Sequence, residues 1–153
     1  MSPPLAINPR IVEGLYCEAL VLSDEVRAAF SFAPGADPEG RDYDAARIAL
    51  SCEGLRTTTR MMHAVAWLLN QRAFFAGELS QFQLMRYGKL AVLAGSDPAR
   101  LAQLHPEVRE LIGSTERFYA RLARIDRGFR DRDADAPSAV ERLRERLGRA
   151  LER

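Results

Sequence analysis

Residues 54–77 read GLRTTTRMMHAVAWLLNQRAFFAG, and this stretch decides the fold. It contains no proline, and its last residue, Gly77, suits the left-handed position that ends many helices. Continued back to about residue 43, the segment predicts a helix over 43–76 that is about 50 Å long at 1.5 Å per residue. Gly54 is a point at which this helix can kink.

The apolar side chains of this helix cover about half of its circumference. One line holds Met61, Leu68 and Phe75, and Val65 lies between it and a second line. The second line consists of Ile48, Leu55, Met62, Ala66, Leu69 and Ala73. A surface helix carries a single apolar stripe about 100° wide, so we expect this helix to be packed on two sides at the centre of the fold.

The flanking sequence predicts further helices. Asn8 and Pro9 suit the start of a helix over about 9–32, and an apolar stripe of near-heptad spacing predicts another over about 106–129. Ser80 and Gln83 have the spacing of a capping box, which predicts a short helix ending near Leu93, and Asp97 begins a second short one. An exposed loop is expected over 33–40. The predicted fold is all-α: a bundle of three main helices with short connecting helices.

Composition supports this fold class and bounds the domain organisation. Ala and Leu number 23 and 19, against 12 for Val and Ile together, a balance that favours helix over sheet. A chain of 153 residues is one domain by length, and we assign the bundle to residues 1–130. Residues 131–153 are expected to form a charged, flexible tail, with a linker over 130–137. Ser138 and Glu141 then form a capping box before a short amphipathic segment.

The charge balance argues against a strongly basic nucleic-acid-binding protein but leaves binding through a local arginine patch open. There are 22 basic and 21 acidic residues, for a net charge of +1, which excludes a strongly basic nucleic-acid binder as the default. Arg117, Arg121 and Arg124 form a ridge at i, i+4 and i+7 that can meet phosphates or be an ordinary solvated face. The tail concentrates further arginines that suit contact with a partner: Arg142, Arg144, Arg146 and Arg149.

The chemistry of an enzyme is not evident. There is no phosphate-binding glycine loop and no nucleophile elbow. Thr59 and His63 share a helix face, but hydroxyls bonded to preceding carbonyls explain the threonines better than a nucleophile–base pair. Cys17 and Cys52 are expected to be buried, reduced thiols, since ligand spacing for zinc is missing. We therefore predict no catalytic residues, no metal and no cofactor.

The N-terminal sequence and the apolar runs predict the compartment. Residues 1–5 have neither the basic nor the apolar region of a signal peptide. The longest apolar run is far shorter than the roughly 20 residues that cross a bilayer. We expect a cytoplasmic protein without a membrane contact.

Aromatic residues among polar ones mark a candidate interface on the central helix. Trp67 and Phe74 are seven residues apart and therefore lie along one line of the helix. Arg60, His63 and Asn70 lie beside them, a composition typical of interface hot spots. The alternative is that another segment of the same chain, such as 80–104, covers the aromatic side chains.

The stretch TTTRMMHAVAWLLNQRA, residues 57–73, resembles the regulator-of-CtrA-degradation family of alphaproteobacteria, which is also described as a domain of unknown function. Trp67 and Gln71 stand in register with Thr58 and Arg60 upstream and with the downstream Gly-Glu-Leu-Ser at 77–80. The later segment FYARL at 118–122 fits the family more loosely, and the resemblance covers about residues 10–130. His63 departs from the pattern, because the family has Gln there.

The resemblance implies a small helical bundle that forms a homodimer and has no catalytic activity. Members of the family act as adaptors that bring regulatory proteins to the ClpXP protease during the cell cycle. They work with signalling proteins of the response-regulator type. Protease, cargo and signalling protein are therefore the partners that the resemblance implies here. A nucleic-acid-binding helical regulator that uses the arginine ridge is the alternative.

Overall fold

The computed structural model describes residues 7–32, 41–135 and 137–151, and over these ranges the regular elements are helices. Within these ranges, six helices follow one another: α1 Pro9–Phe32, α2 Arg41–Phe75, α3 Gln81–Tyr87, α4 Pro98–Leu101, α5 Pro106–Asp135 and α6 Ala139–Leu151. The prediction of an all-α bundle with three main helices is confirmed. The predictions for residues 1–5 and for the loop 33–40 lie outside the described residues. No described helix is both long and apolar enough to span a bilayer.

The helix ends follow the capping chemistry of the sequence. Asn8 Oδ1 accepts a hydrogen bond from the Ile11 backbone N–H at 3.0 Å at the start of α1. Gly77 has a φ of +79°, the left-handed conformation expected just after α2. Both capping boxes form, the first between Ser80 and Gln83 at α3 and the second between Ser138 and Glu141 at α6.

The segment after α3 departs from the prediction. Helix α3 ends at Tyr87, and residues 88–97 run to α4 without regular structure, although the sequence predicted a helix to about Leu93. Gly88 is the C-cap of α3: its backbone N–H donates to the Leu84 carbonyl at 2.8 Å, and a Cβ at residue 88 would lie 2.6 Å from that oxygen, so this close approach requires glycine. We call residues 88–97 the extended segment.

Helix α2 is the centre of the fold and contacts α1, α3, α4 and α5. The main core joins three helices and the extended segment through Val12, Leu15, Ala19, Val26, Met61, Ala64, Trp67, Leu68, Leu90, Phe118 and Leu122. A second cluster at the other end consists of Ala49, Leu104, Val108 and Ile112. Gly54 does not interrupt α2. It lets Phe30 approach closely instead, because a Cβ at residue 54 would lie 2.9 Å from the Phe30 ring.

Helix α5 is longer than the sequence indicated. It continues through Asp135, so the prediction of a flexible linker over 130–137 is wrong for residues 130–135. Arg130 explains the first added turn: its Nε donates to Asp126 Oδ2 at 3.1 Å, and its Nη1 donates to the Met85 carbonyl at 2.7 Å. Arg132 Nε likewise donates to the Gly128 carbonyl. Side chains that bind the preceding turn keep a charged sequence helical.

Candidate protein-interaction surfaces

The line of α2 that carries Arg60 and Trp67 faces the interior of the chain. Trp67 is 2% exposed and Arg60 is 3% exposed. The prediction that these two side chains form a partner or dimer surface is therefore wrong, and the alternative of internal packing holds for both. We call this side of the helix the inner face of α2.

Trp67 is buried together with a polar partner. Its Nε1 donates to Asp126 Oδ1 at 3.0 Å, and the other oxygen of that buried carboxylate accepts from the Leu90 backbone N–H at 3.2 Å. Tyr119 Oη also donates to the Ala91 carbonyl in the extended segment. A carboxylate away from water needs such donors, and here they tie the extended segment across α2 and α5.

Arg60 is buried against the middle of α5. Its Nη1 donates to Thr115 Oγ1 at 3.0 Å, and its Nη2 lies 3.4 Å from Glu116 Oε1. Burial lowers the pKa of the Arg60 guanidinium, and the carboxylates of Glu116 and Glu53 oppose that effect. The same Glu116 oxygen accepts hydrogen bonds from the Ser96 N–H at 2.9 Å and the Ser96 hydroxyl at 2.6 Å.

The pKa of the Glu116 carboxyl group is shifted by these contacts. Burial acts to raise the pKa of its carboxyl group, but the hydrogen bonds from Ser96 and the charge of Arg60 outweigh it, and the pKa is lowered. Tyr119, on the same helix, has its pKa raised, mainly by burial. Glu116 is therefore engaged by Ser96 and Arg60 within the bundle, and it connects the extended segment to α2 and α5.

The other three residues of the predicted interface are more accessible. His63 is exposed, and Asn70 and Phe74 are half-buried. The Phe74 ring packs edge-on against Phe75, with ring centroids 5.3 Å apart. The structure therefore separates the five candidates: His63 lies at the surface, Asn70 and Phe74 lie at its edge, and Arg60 and Trp67 lie inside.

The opposite side of α2 is apolar and exposed. Ile48, Leu55, Met62 and Leu69 have exposed fractions of 60%, 70%, 67% and 44%. The expectation that this line is packed against the rest of the chain is wrong. A helix whose large apolar side chains lack an intramolecular partner exposes an apolar strip, and such strips mark interaction surfaces. We define the outer stripe of α2 as a set of nine helix positions and the first residue of the turn that follows, Ala76. The helix positions are Ala45, Ile48, Cys52, Leu55, Thr59, Met62, Ala66, Leu69 and Ala73.

An open groove lies at the carboxyl end of the outer stripe. Its volume is about 480 Å³, and Leu69, Ala73 and Ala76 of the stripe line it together with Val12 of α1. Arg72 forms one edge, where its Nε donates to Glu13 Oε1 at 2.7 Å and its guanidinium stacks 4.4 Å from the centre of the Tyr16 ring. The hydrogen bond to Glu13 raises the pKa of Arg72. The groove extends the apolar surface towards α1.

Helix α6 is a second uncovered amphipathic surface. Val140, Leu143, Leu147 and Leu151 are all exposed along one stripe. The four arginines predicted to contact a partner, Arg142, Arg144, Arg146 and Arg149, are exposed as well. Arg149 lies 3.9 Å from Glu145, a distance at which an exposed pair contributes little. The structure brings these arginines and leucines together on one short helix.

The arginine ridge of α5 is only partly free. Arg117 and Arg124 are exposed, but Arg121 is half-buried. Arg121 donates to Glu18 of α1, and its guanidinium lies 5.2 Å from the centre of the Phe118 ring. One of the three charges is therefore engaged within the bundle.

The structure places the Thr59–His63 pair and the two cysteines at or near the surface. Thr59 is half-buried and His63 is exposed, which leaves that pair on an open surface rather than in an enclosed site. Among the described residues, no three His, Cys, Asp or Glu side chains are grouped closely enough to hold a metal ion. Both cysteines are free thiols, and the expectation that both are buried is wrong, since Cys17 is exposed and Cys52 is half-buried.

Sequence patterns missed the polar residues that organise the inner face. Asp126, Thr115 and Glu116 were not candidates, yet they hold Trp67, Arg60 and the extended segment. A signal was present: Thr115, Leu122 and Asp126 follow each other at helical spacing, so an acidic residue stands within the apolar stripe of α5. A charged residue at such a position needs buried partners.

Comparison with known proteins points to one family. A family model described as "Protein of unknown function (DUF1465)" matches residues 5–151. No match is found among curated proteins or among solved structures. The match covers all six helices, α6 included.

Proposed function

The chain belongs to the DUF1465 family, and from this premise we propose that it is a non-enzymatic adaptor. It delivers regulatory proteins to the ClpXP protease in cell-cycle control, works with response-regulator-type signalling proteins, acts in the cytoplasm and pairs as a homodimer. The resemblance of residues 57–73 to the regulator-of-CtrA-degradation family supports the identity of these partners. The family model itself supports only the coarser assignment.

One structural observation carries the proposal. Within the residues that the structure describes, two apolar helix surfaces are left uncovered, the outer stripe of α2 and the leucine stripe of α6. An adaptor must bind at least two proteins at once. A homodimer that pairs through one of these surfaces presents the other surface twice, which permits two proteins to be bound without competition. Joining two weak contacts in one molecule raises the effective concentration of a cargo at its protease.

The arginine ridge gives less support to a nucleic-acid-binding regulator. Arg121 is paired with Glu18, and the acidic residues Glu116 and Asp126 lie on the same helix. Binding to a short duplex that weakens steeply with added salt would favour this alternative. Contacts made through apolar stripes depend little on salt.

The test combines binding and degradation. Purified ClpXP is passed over the immobilised full-length chain, over the α6 variant with Leu143→Ser and Leu147→Ser, and over an Arg124→Ala control on α5. We expect the wild type and the control to retain the protease, and the α6 variant to retain less. In cells lacking the chain, we expect at least one cell-cycle regulator to have a longer half-life. Unchanged half-lives across the proteome, together with no capture of the protease, would refute the adaptor proposal.

A further inference from the structure

The outer stripe of α2 has the spacing of a coiled-coil seam. From Ala45 to Ala76 its positions advance by three and four residues alternately, without interruption. Large residues recur every seven positions at Ile48, Leu55, Met62 and Leu69. This seven-residue repeat over four turns of the pattern keeps an apolar line facing a neighbouring helix along its whole length. The other helices of the bundle pack elsewhere on α2 and leave the line open.

The positions between the large residues are small. Ala45, Cys52, Thr59, Ala66 and Ala73 alternate with the large side chains, so that each large residue is followed by a shallow gap. Two parallel copies of such a seam would place large residues against large and small against small. Two antiparallel copies place every large residue against a small one, which gives even spacing and interdigitated layers.

We propose that a second copy of this chain packs on the outer stripe, with the two α2 helices antiparallel. In this arrangement Ile48 faces the partner's Ala73, and Leu55 faces the partner's Ala66. Met62 faces the partner's Thr59, and Leu69 faces the partner's Cys52. The inference rests on the homodimer part of the proposed function and gives that homodimer its surface and orientation.

The register follows from overlap and charge. Facing Ala45 against the partner's Ala76 uses the entire stripe. A shift by one heptad towards the amino end would shorten the overlap and bring Arg56 beside the partner's Arg56, a contact between like charges. In the proposed register Arg56 lies beside the partner's His63 instead.

The size of the surface is adequate for a dimer. The stripe spans 45–76, about 47 Å at 1.5 Å per residue, and a helix is about 11 Å wide, so each copy contributes a footprint on the order of 500 Å². Two copies reach about 1,000 Å², the lower end of biological interfaces. Leu20 of α1 enlarges the surface, since it is 46% exposed and lies one turn from Tyr16, which stacks on Arg72 beside the stripe.

Charge favours a second copy over helix α6 as the occupant. The residues that flank the stripe along its middle are Ala49, Arg56, His63, Asn70, Ser51, Thr58, Val65 and Arg72, and none is acidic. The leucine stripe of α6 is accompanied by exposed arginines, which would add positive charge beside Arg56 and Arg72, whose nearby carboxylates, Glu53 and Glu13, belong to the same bundle. A second α2 brings an uncharged line to an uncharged line.

Mass measurement across a concentration series tests the surface. The full-length wild type is compared with the variants Leu55→Glu and Met62→Glu. Both side chains are exposed in the single chain, so neither substitution should affect its folding. The control is Val92→Glu at an exposed site of the extended segment, 94% accessible. We expect a wild-type dimer. Each α2 substitution should raise the dimer dissociation constant about 100-fold or more, because a carboxylate would be buried without a partner, and the control should leave it unchanged. Circular dichroism confirms that the variants remain helical.

The outcomes separate this inference from the wider function. A dimer that survives both α2 substitutions would overturn the proposed surface and leave the homodimer and adaptor proposals standing. A wild type that stays monomeric to about 1 mM would overturn the surface and the homodimer together. Capture of ClpXP by that monomer would still support the adaptor.

Disulfide trapping tests the orientation. In full-length chains with Cys17→Ser and Cys52→Ala, one sample carries Leu55→Cys and another carries Ala66→Cys. We expect a cross-linked dimer in the mixture of the two samples and little in either alone, because the antiparallel register puts residue 55 opposite the partner's Ala66. Efficient cross-linking of each sample by itself would indicate parallel helices and contradict the proposal.

Discussion

The two faces of α2 differ in burial, and apolar character does not explain the difference. The inner face buries Arg60 beside the apolar side chains of Met61, Trp67 and Leu68. The outer stripe holds Ile48, Leu55 and Met62, and all three are exposed. Apolar character alone therefore does not decide which face of a helix is covered within a chain.

The difference lies in what the neighbouring helices offer. Helix α5 presents Asp126 to Trp67 and Thr115 to Arg60, so the polar atoms of the inner face keep hydrogen bonds when they lose water. The outer stripe needs only an apolar surface, and α1 and α5 already lie on the inner side. A face that needs specific donors and acceptors is satisfied by this chain, whereas a face that needs only apolar contact can be satisfied by another copy.

The largest expected effect is a difference in the free energy of unfolding between a substitution on the inner face and one on the outer stripe. Trp67→Ala should lower the free energy of unfolding by about 3–5 kcal/mol, since it opens a large cavity and removes a donor to Asp126. Met62→Ala should change it by only about 0.5 kcal/mol in the monomer, because the side chain is 67% exposed. Urea unfolding at concentrations that keep the chain monomeric measures both. Equal losses in the two variants would break the comparison.

A second prediction sharpens the polar side of the comparison. Asp126→Ala should cost about 2–3 kcal/mol, because the Trp67 Nε1–H and the Leu90 N–H lose their acceptor in a buried site. Amide hydrogen exchange should accelerate over 88–97, the extended segment that Asp126 anchors. The matched control is Asp131→Ala on the same helix, whose exposed side chain should tolerate the change. Unaltered exchange in the Asp126 variant would show that the anchor is not needed.

A third, smaller effect concerns pH. The pKa of Glu116 is lowered below 4.5 in the folded chain, so its contacts contribute fully above that pH and are lost as the pH falls through the folded pKa. We expect wild-type stability to decline as the pH falls below about 4.5, the ordinary pKa of a Glu carboxyl group, and this slope to be smaller in Glu116→Gln. Ser96→Ala should reduce it less, because the Ser96 backbone N–H still donates. A slope that Glu116→Gln leaves intact would assign the acid response to other groups.

The smallest expected effect lies on α6. Leu143→Ser with Leu147→Ser should change the free energy of unfolding of the bundle by no more than about 0.5 kcal/mol, because both side chains are exposed. Thermal unfolding of the variant and the wild type provides the comparison. A marked loss of stability would show that α6 packs on the bundle and is not available to a partner.

Local features of the fold were predictable from residue types. Asn8, Ser80 and Ser138 were identified as caps, and each side-chain oxygen accepts the expected backbone hydrogen bond. The end of α2 followed from Gly77. These interactions connect residues two to four positions apart, so the sequence contains both partners within one window.

The candidate site was less predictable, because it depends on pairs distant in the chain. Trp67 and Asp126 are 59 positions apart, and Arg60 and Thr115 are 55 apart. No periodicity within α2 reveals such a partner on α5. The sequence did not predict the extension of α5 through Asp135 for the same reason, because Arg130 binds the Met85 carbonyl 45 positions away.

The sequence by itself determined the helical class, the number of main helices, most helix ends and the family resemblance. Capping, glycine geometry and apolar periodicity act over a few residues, so they can be predicted from the sequence alone. Only the tertiary structure decided which side of α2 faces inward. That choice depends on the donors, acceptors and apolar surfaces that α1 and α5 bring to it, and burial of a polar side chain is stable only where those partners meet it.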